Sequence, residues 1–202
     1  PKRCNRSTGL PVTSVTATPI DTTGDVGDFN SIIIDRRGLG IVSYYDATNR
    51  DLKFAACLDI ACTTATLRTL DSANDVGSHT SLALHNNGFP LIAYGDDTNG
   101  NLKLAICDDT CATPNLVTID ASANDVGNRN ALTALDDFVV VAHHDATAGA
   151  LKLTRCRTNA TVCNAVSSVT ADATATSGEG IAIARMANLV PVIFYTRNFE
   201  VR

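Results

Sequence analysis

The residues of this sequence with the most chemical potential are its cysteines and its aspartates. Seven cysteines occur, and six fall into close pairs: Cys57 with Cys62, Cys107 with Cys111, and Cys156 with Cys163. In the stretch AICDDTC, Ala105 to Cys111, two thiols flank two carboxylates, a set that could hold a cation, exchange electrons or close a loop. Aspartate recurs in two other settings. Asp25, Asp75 and Asp125 each open an Asp-Val-Gly tripeptide, and Asp46, Asp96 and Asp145 each end a strand-like apolar run. Carboxylates grouped with amide and carbonyl oxygens are the ligands of hard cations, so these six aspartates form a candidate calcium or ligand face. They can equally cap their own turns through Asx-type hydrogen bonds, and recurrence in every copy favours that role.

The cysteine pairs enclose four, three and six residues. A metal site repeated through a chain would hold its ligand spacing more tightly, no histidine accompanies any pair, and no Cys-x-x-Cys redox motif is present. A disulfide tolerates loops of variable length, because only the two Cα atoms must approach within about 4.4–6.8 Å. Three short disulfide staples are therefore expected, and with them an oxidising compartment. Cys4 is the unpaired seventh cysteine. Two N-x-S/T triplets, at Asn5 and Asn159, are candidate glycosylation acceptors and mark surface loops.

The elements that must position these residues follow from a repeat. Asp-Val-Gly recurs with a period of fifty residues, and each copy reads as four short strands. The first strand is SIII, SLAL or ALTA. The second is GIVSYYD, PLIAYGD or VVVAHHD, and the third is DLKFAAC, NLKLAIC or ALKLTRC. A cysteine-bounded loop then leads to the fourth. A worn fourth copy follows in GIAIA, PVIFYT and NFEVR, where the sequence stops. The segment from Lys2 to Ala17 aligns with Thr154 to Ala171, so the N-terminus is expected to complete the blade that the C-terminus begins.

Four strands per fifty residues is the size of a propeller blade. The expected fold is a single all-β domain over 1–202: a β-propeller of four four-stranded antiparallel blades. The repeats cover approximately 21–70, 71–120, 121–170, and 171–202 together with 1–20. The alternative is half of a larger propeller, completed by a second copy or by further polypeptide. In an up-and-down blade the Asp-Val-Gly loops and the turns after Asp46, Asp96 and Asp145 share one face of the ring, and the cysteine loops lie on the other.

The pattern D-V-G, S-L-A-L, N-G-x-P-L-I-A-Y-x-D-x-T-N and L-K-L-A-x-C resembles the tandem repeats of secreted and cell-surface β-propeller proteins of bacteria. The resemblance implies an extracellular, adhesive or scaffolding role and carries over no catalytic residue. The sialidase Asp-box, the Trp-Asp ending of WD40 blades and the kelch double glycine are all missing.

With 45% hydrophobic and 18% charged residues the composition is that of a globular chain. A net charge of -5 offers no basic surface for nucleic acid, and no apolar run approaches the roughly 18 residues of a membrane-spanning helix. The sequence begins at Pro1 without a basic-then-apolar leader, as expected if an export signal was removed or lies outside it. The histidines His79, His85, His143 and His144 find no companion ligands for zinc. The only glutamates, Glu179 and Glu200, lie in the divergent copy, and G-x-S-x-G and H-E-x-x-H are absent. No carboxylate pair stands out for glycoside hydrolysis.

The expected function is a non-catalytic extracellular binding or structural module, and not an enzyme, with a protein or a glycan at a cell surface as partner. It needs no cofactor beyond conceivable calcium, and assembly into a homo-oligomer or larger complex is open. The alternatives are a lectin-like carbohydrate-binding propeller and, behind it, a divergent glycoside-active enzyme.

Overall fold

The computed structural model describes residues 17–158, 162–174, 178, 180–188, 190–197 and 200–201. Cys4, Asn5, Asn159, Glu179 and nearly all of the segment from Lys2 to Ala17 lie outside the described residues. The described residues are all-β. The first sheet contains β1 (Val26–Ile34), β2 (Gly40–Asp46), β3 (Asp51–Cys57) and β4 (Ala65–Asp71). The second contains β5 (Val76–Leu84), β6 (Pro90–Asp96), β7 (Asn101–Ile106) and β8 (Asn115–Asp120). The third contains β9 (Asn130–Leu135), β10 (Phe138–Asp145), β11 (Ala150–Thr158) and β12 (Cys163–Asp172). The last contains β13 (Ile181–Arg185), β14 (Pro191–Arg197) and β15 (Glu200–Val201). Within every sheet the strands pair antiparallel in chain order. The fourth sheet has three strands among the described residues, where the repeat predicts four.

Successive sheets stack face to face, and this explains the strand composition. Along a strand, alternate side chains point to opposite faces. In β2, Ile41 joins the core shared with the second sheet, while Tyr44 faces the preceding end of the stack. β6 lies between two neighbours, so all seven of its residues are buried and its sequence PLIAYGD reads as a continuous apolar run. Ile92 and Tyr94 pack backward onto Leu52 and Phe54, whereas Leu91 and Ala93 pack forward onto Leu132, Val139 and Val141.

A polar clamp repeats within this apolar stack. The aspartate ending each fourth strand reaches into the next sheet, where it accepts from a second-strand hydroxyl and a third-strand ammonium. Asp71 accepts from Tyr94 Oη (2.8 Å) and Lys103 Nζ. Asp21, at the corresponding place before β1, accepts from Tyr44 Oη (2.7 Å) and lies 3.6 Å from Lys53 Nζ. Asp172 accepts from Tyr195 Oη (2.8 Å) and has, in place of a third-strand ammonium, the guanidinium of Arg197 at the end of the second strand, with Nε 3.5 Å away.

In the third sheet His143 replaces the tyrosine. Its Nδ1 donates to the Val126 carbonyl (2.8 Å), its Nε2 meets Thr154 Oγ1 (2.9 Å), and Lys152 Nζ pairs with Asp120 at 2.6 Å. Burial pushes the His143 pKa down to about 4, so the imidazole is neutral at pH 7.

The three cysteine pairs are bonded, with Cα–Cα distances of 4.9, 4.5 and 5.5 Å for Cys57–Cys62, Cys107–Cys111 and Cys156–Cys163. Each closes the loop between third and fourth strands.

Burial works against the charge on Asp71, but the Lys103 ammonium, the Tyr94 hydroxyl and the Ala73 N–H outweigh it and hold its pKa below the usual value. A depressed folded-state pKa contributes stability that is present above the unfolded value near 4 and is lost as pH falls below it. Asp71→Ala leaves Lys103 buried without its partner, and a loss of about 3–5 kcal/mol is expected in urea denaturation at pH 7. The difference between wild type and variant should shrink as the titration is repeated toward pH 3.

Candidate functional site

The face carrying the Asp-Val-Gly loops is built from three strand-entry loops and three second-strand turns, locked together in each blade. Asp25, Asp75 and Asp125 use their backbones: each N–H donates to a turn threonine (Thr48, Thr98 and Thr147, 2.8–3.0 Å), and each carbonyl accepts from residue 47, 97 or 146. Asp46, Asp96 and Asp145 are buried and engaged by their own turns. Asp46 accepts from the Thr48 and Asn49 N–H groups (both 3.0 Å), Asp96 from the Asn99 N–H (3.0 Å), and Asp145 from the Ala148 N–H (2.8 Å). Among the described residues no three His, Cys, Asp or Glu side chains gather as metal ligands.

A second feature of this face is a bulge in the first strand of blades one and two. The β1–β2 register slips between Val26 and Ser31, and the β5–β6 register slips between Val76 and Ser81. Phe29 and His79 stand at the apices, and Arg129 takes the equivalent place just before β9; the three are fifty residues apart, with φ of 49°, 51° and 52°. Positive φ in a side-chain-bearing residue is strained, and at Phe29 and His79 a tether to the next blade holds it. Thr80 Oγ1 donates to the Phe29 carbonyl (2.8 Å), and Asn130 Nδ2 donates to the His79 carbonyl (2.7 Å). The backbone therefore repeats while the side chains do not: one apex carries a phenyl ring, one an imidazole and one a guanidinium.

These unlike side chains meet other non-repeated groups. The Phe29 ring lies 4.2 Å from that of His79 and 6.0 Å from that of Tyr45. Tyr45 Oη donates to Asp75 Oδ1 (2.7 Å), and burial together with this carboxylate pushes the phenol up to about 12. Where the first blade has Tyr45 the second has Gly95; a side chain there would collide with Ser78 and approach Asp97. Asp97 stands where the other blades have Ala47 and Ala146, and accepts from Ser78 Oγ (2.7 Å). Removal from water and the charges of Asp75 and Asp125 hold its carboxyl above the usual aspartate value, against the opposing effects of Ser78 and His79.

Aromatic faces, a hydroxyl, an imidazole, a guanidinium and carboxylates of differing acidity thus converge on one side of the stack. Such a surface can stack on the apolar face of a sugar ring and pair with its hydroxyls.

No protein-family model matches the sequence, and no curated protein matches it. Solved structures do match. A GH43 β-1,3-galactosidase superposes with a TM-score of 0.58 at 11% identity, over 85% of this chain and 39% of that one. The catalytic domain of a Coprinopsis cinerea GH62 α-L-arabinofuranosidase gives 0.53 at 11%, over 88% and 67%. A bifunctional GH43-CE protein of Bacteroides eggerthii gives 0.52 at 10%, over 85% and 25%. The fold is a β-propeller. Its blades form an open stack, and the chain spans about two fifths of the length of the galactosidase it matches.

One expectation is corrected here. The chain was expected not to be an enzyme, because familiar catalytic motifs are missing; the solved propellers it resembles are glycoside hydrolases, which share its fold at 10–11% identity. Missing sequence motifs therefore gave no ground for excluding catalysis. Reading the repeat as a symmetric array drew attention to the repeated aspartates of this face and away from its unlike members Phe29 and Arg129. Their signal was available: they are the positions at which aligned copies disagree in chemistry while their surroundings agree.

Replacing Asp75 with Asn removes a negative neighbour of Asp97. The Asp97 carboxyl, followed by carbon-detected NMR titration, should start above the ordinary aspartate value and move down in the Asp75→Asn variant.

Proposed function

We propose that this protein is an extracellular carbohydrate-binding β-propeller that recognises glycan on the face formed by Phe29, Tyr45, His79, Asp97 and Arg129. The observation carrying this reading is the set of three equivalent positive-φ positions bearing three different side chains, the first two tethered to the next blade. A strained position kept in three blades, yet chemically different in each of them, fits a surface shaped for an asymmetric ligand. Two fold neighbours are named for acting on galactosyl and arabinosyl linkages, which supports the choice of ligand class. The three disulfides, and the resemblance to bacterial surface repeats, support a secreted or cell-surface location.

A second reading, glycoside cleavage at the same face, is favoured by one observation: the carboxyl of Asp97 is held above its ordinary pKa beside other carboxylates. A general acid needs a proton to give at working pH while a companion stays charged.

Glycan-array screening followed by calorimetry on the captured oligosaccharide tests the first reading. Phe29→Ala, which removes the aromatic platform, should weaken binding at least tenfold. An array without a hit, in calcium and in EDTA, overturns it. Reducing-sugar release that is lost in Asp97→Asn supports the second reading, and binding without any release overturns it.

A further inference from the structure

Two of the three blade boundaries in this stack share the same knob and hole, while at the third Gly127 meets the backbone of Asn101 instead. The hole is the glycine of the strand-entry loop. At Gly77 a side chain would meet Leu52 Cα at 2.6 Å, and at Gly178 it would meet Leu151 Cδ1 at 3.3 Å. The knob is the residue at the start of the preceding blade's third strand, Leu52 or Leu151, and both are almost wholly buried. Around the first of these contacts Val76, Leu82, Ile92 and Tyr94 of the hole side close over Ile41, Leu52, Phe54 and Leu70 of the knob side.

The first blade carries the hole with no knob in it. Gly27 has the same left-handed backbone (φ 113°), and no described atom lies within 4 Å of where its side chain would stand. The residues equivalent to the hole side of that core are present. Ile20, Val26, Val42 and Tyr44 line an open cavity of about 280 Å³, and Ile32 and Ile34 on the same face are 64% and 61% exposed. The Asp21 clamp is assembled there as well, with Tyr44 and Lys53 in place.

The last blade carries the knob with no hole. Thr196 pairs with Val201 as Tyr45 pairs with Leu52, which puts Val201 in the knob position, where it is 72% exposed. Phe194, on the same forward face at the place of Ser43 and Ala93, is 57% exposed.

We infer that the backward face of blade one is a docking surface for the forward face of blade four of a second copy of this chain. The two faces reproduce the blade-to-blade interface used inside the chain, and within one copy both stay in contact with solvent. The contact is head-to-tail, so each copy has one hole and one knob to offer, and two copies can close on each other. This docking is independent of the carbohydrate reading, because it uses the ends of the stack and not its upper face.

Light scattering on size-exclusion chromatography tests it with the 202-residue chain. The wild type should run at twice the 21.2 kDa chain mass. Ile32→Glu at the hole and Val201→Glu at the knob should each raise the dissociation constant at least tenfold with unchanged circular dichroism. An equimolar mixture of the two variants retains one intact pair of faces, and should recover a species of twice the chain mass. A wild type that stays at single-chain mass at 100 µM overturns the inference, whether it is open or closed on itself. So does an assembly that survives both substitutions, or a mixture that stays at single-chain mass.

Discussion

The interface between successive sheets is the constraint on which the rest of this structure depends. A four-stranded sheet with apolar side chains on both faces cannot stand alone in water, so each blade is stable only against its neighbours. Apolar packing sets the distance between sheets but tolerates sliding. The buried aspartate that crosses from one sheet to a hydroxyl and an ammonium in the next does not, because its hydrogen bonds fail when either partner shifts by an ångström or so. Asp71 with Tyr94 and Lys103, and Asp120 with Lys152, therefore fix the register in which the Leu52, Phe54 and Leu91 side chains find their pockets.

That registration has a consequence at the upper face. The bulge apices at Phe29 and His79 are anchored through their carbonyls to the next blade, so the clamp that aligns two sheets also aligns the side chains projecting from both. Phe29 meets His79 and Tyr45 meets Asp75 across blade boundaries, and neither pair would form if the sheets were free to slide. The disulfides serve the opposite end of the first three blades, where loops of unequal length need closing.

The division between repeated and non-repeated residues runs through every functional argument. Asp46, Asp96 and Asp145 repeat because each turn needs an acceptor for its own N–H groups. Asp97 does not repeat; its loop folds identically with Ala47 or Ala146 in its place, so the carboxylate answers no need of the turn. The same reasoning separates His143, a buried substitute for tyrosine in the clamp, from His79, which lies beside Phe29 on the open face.

The strands, their order, the fifty-residue period and the cysteine pairing were legible in the sequence, because each rests on local spacing: alternation along a strand, a turn residue, a loop short enough to close. The clamp was not, although Asp71, Tyr94 and Lys103 recur with the period, since their partnership spans 23 and 32 residues and two different sheets. Nor was the bulge, because nothing in Asp28-Phe29-Asn30 announces a positive φ; only the bond from Thr80 in the next blade holds it there. The sequence by itself determined what each blade is. The tertiary structure alone decided which residues of different blades meet, since those distances follow from how sheets stack and not from how a strand alternates.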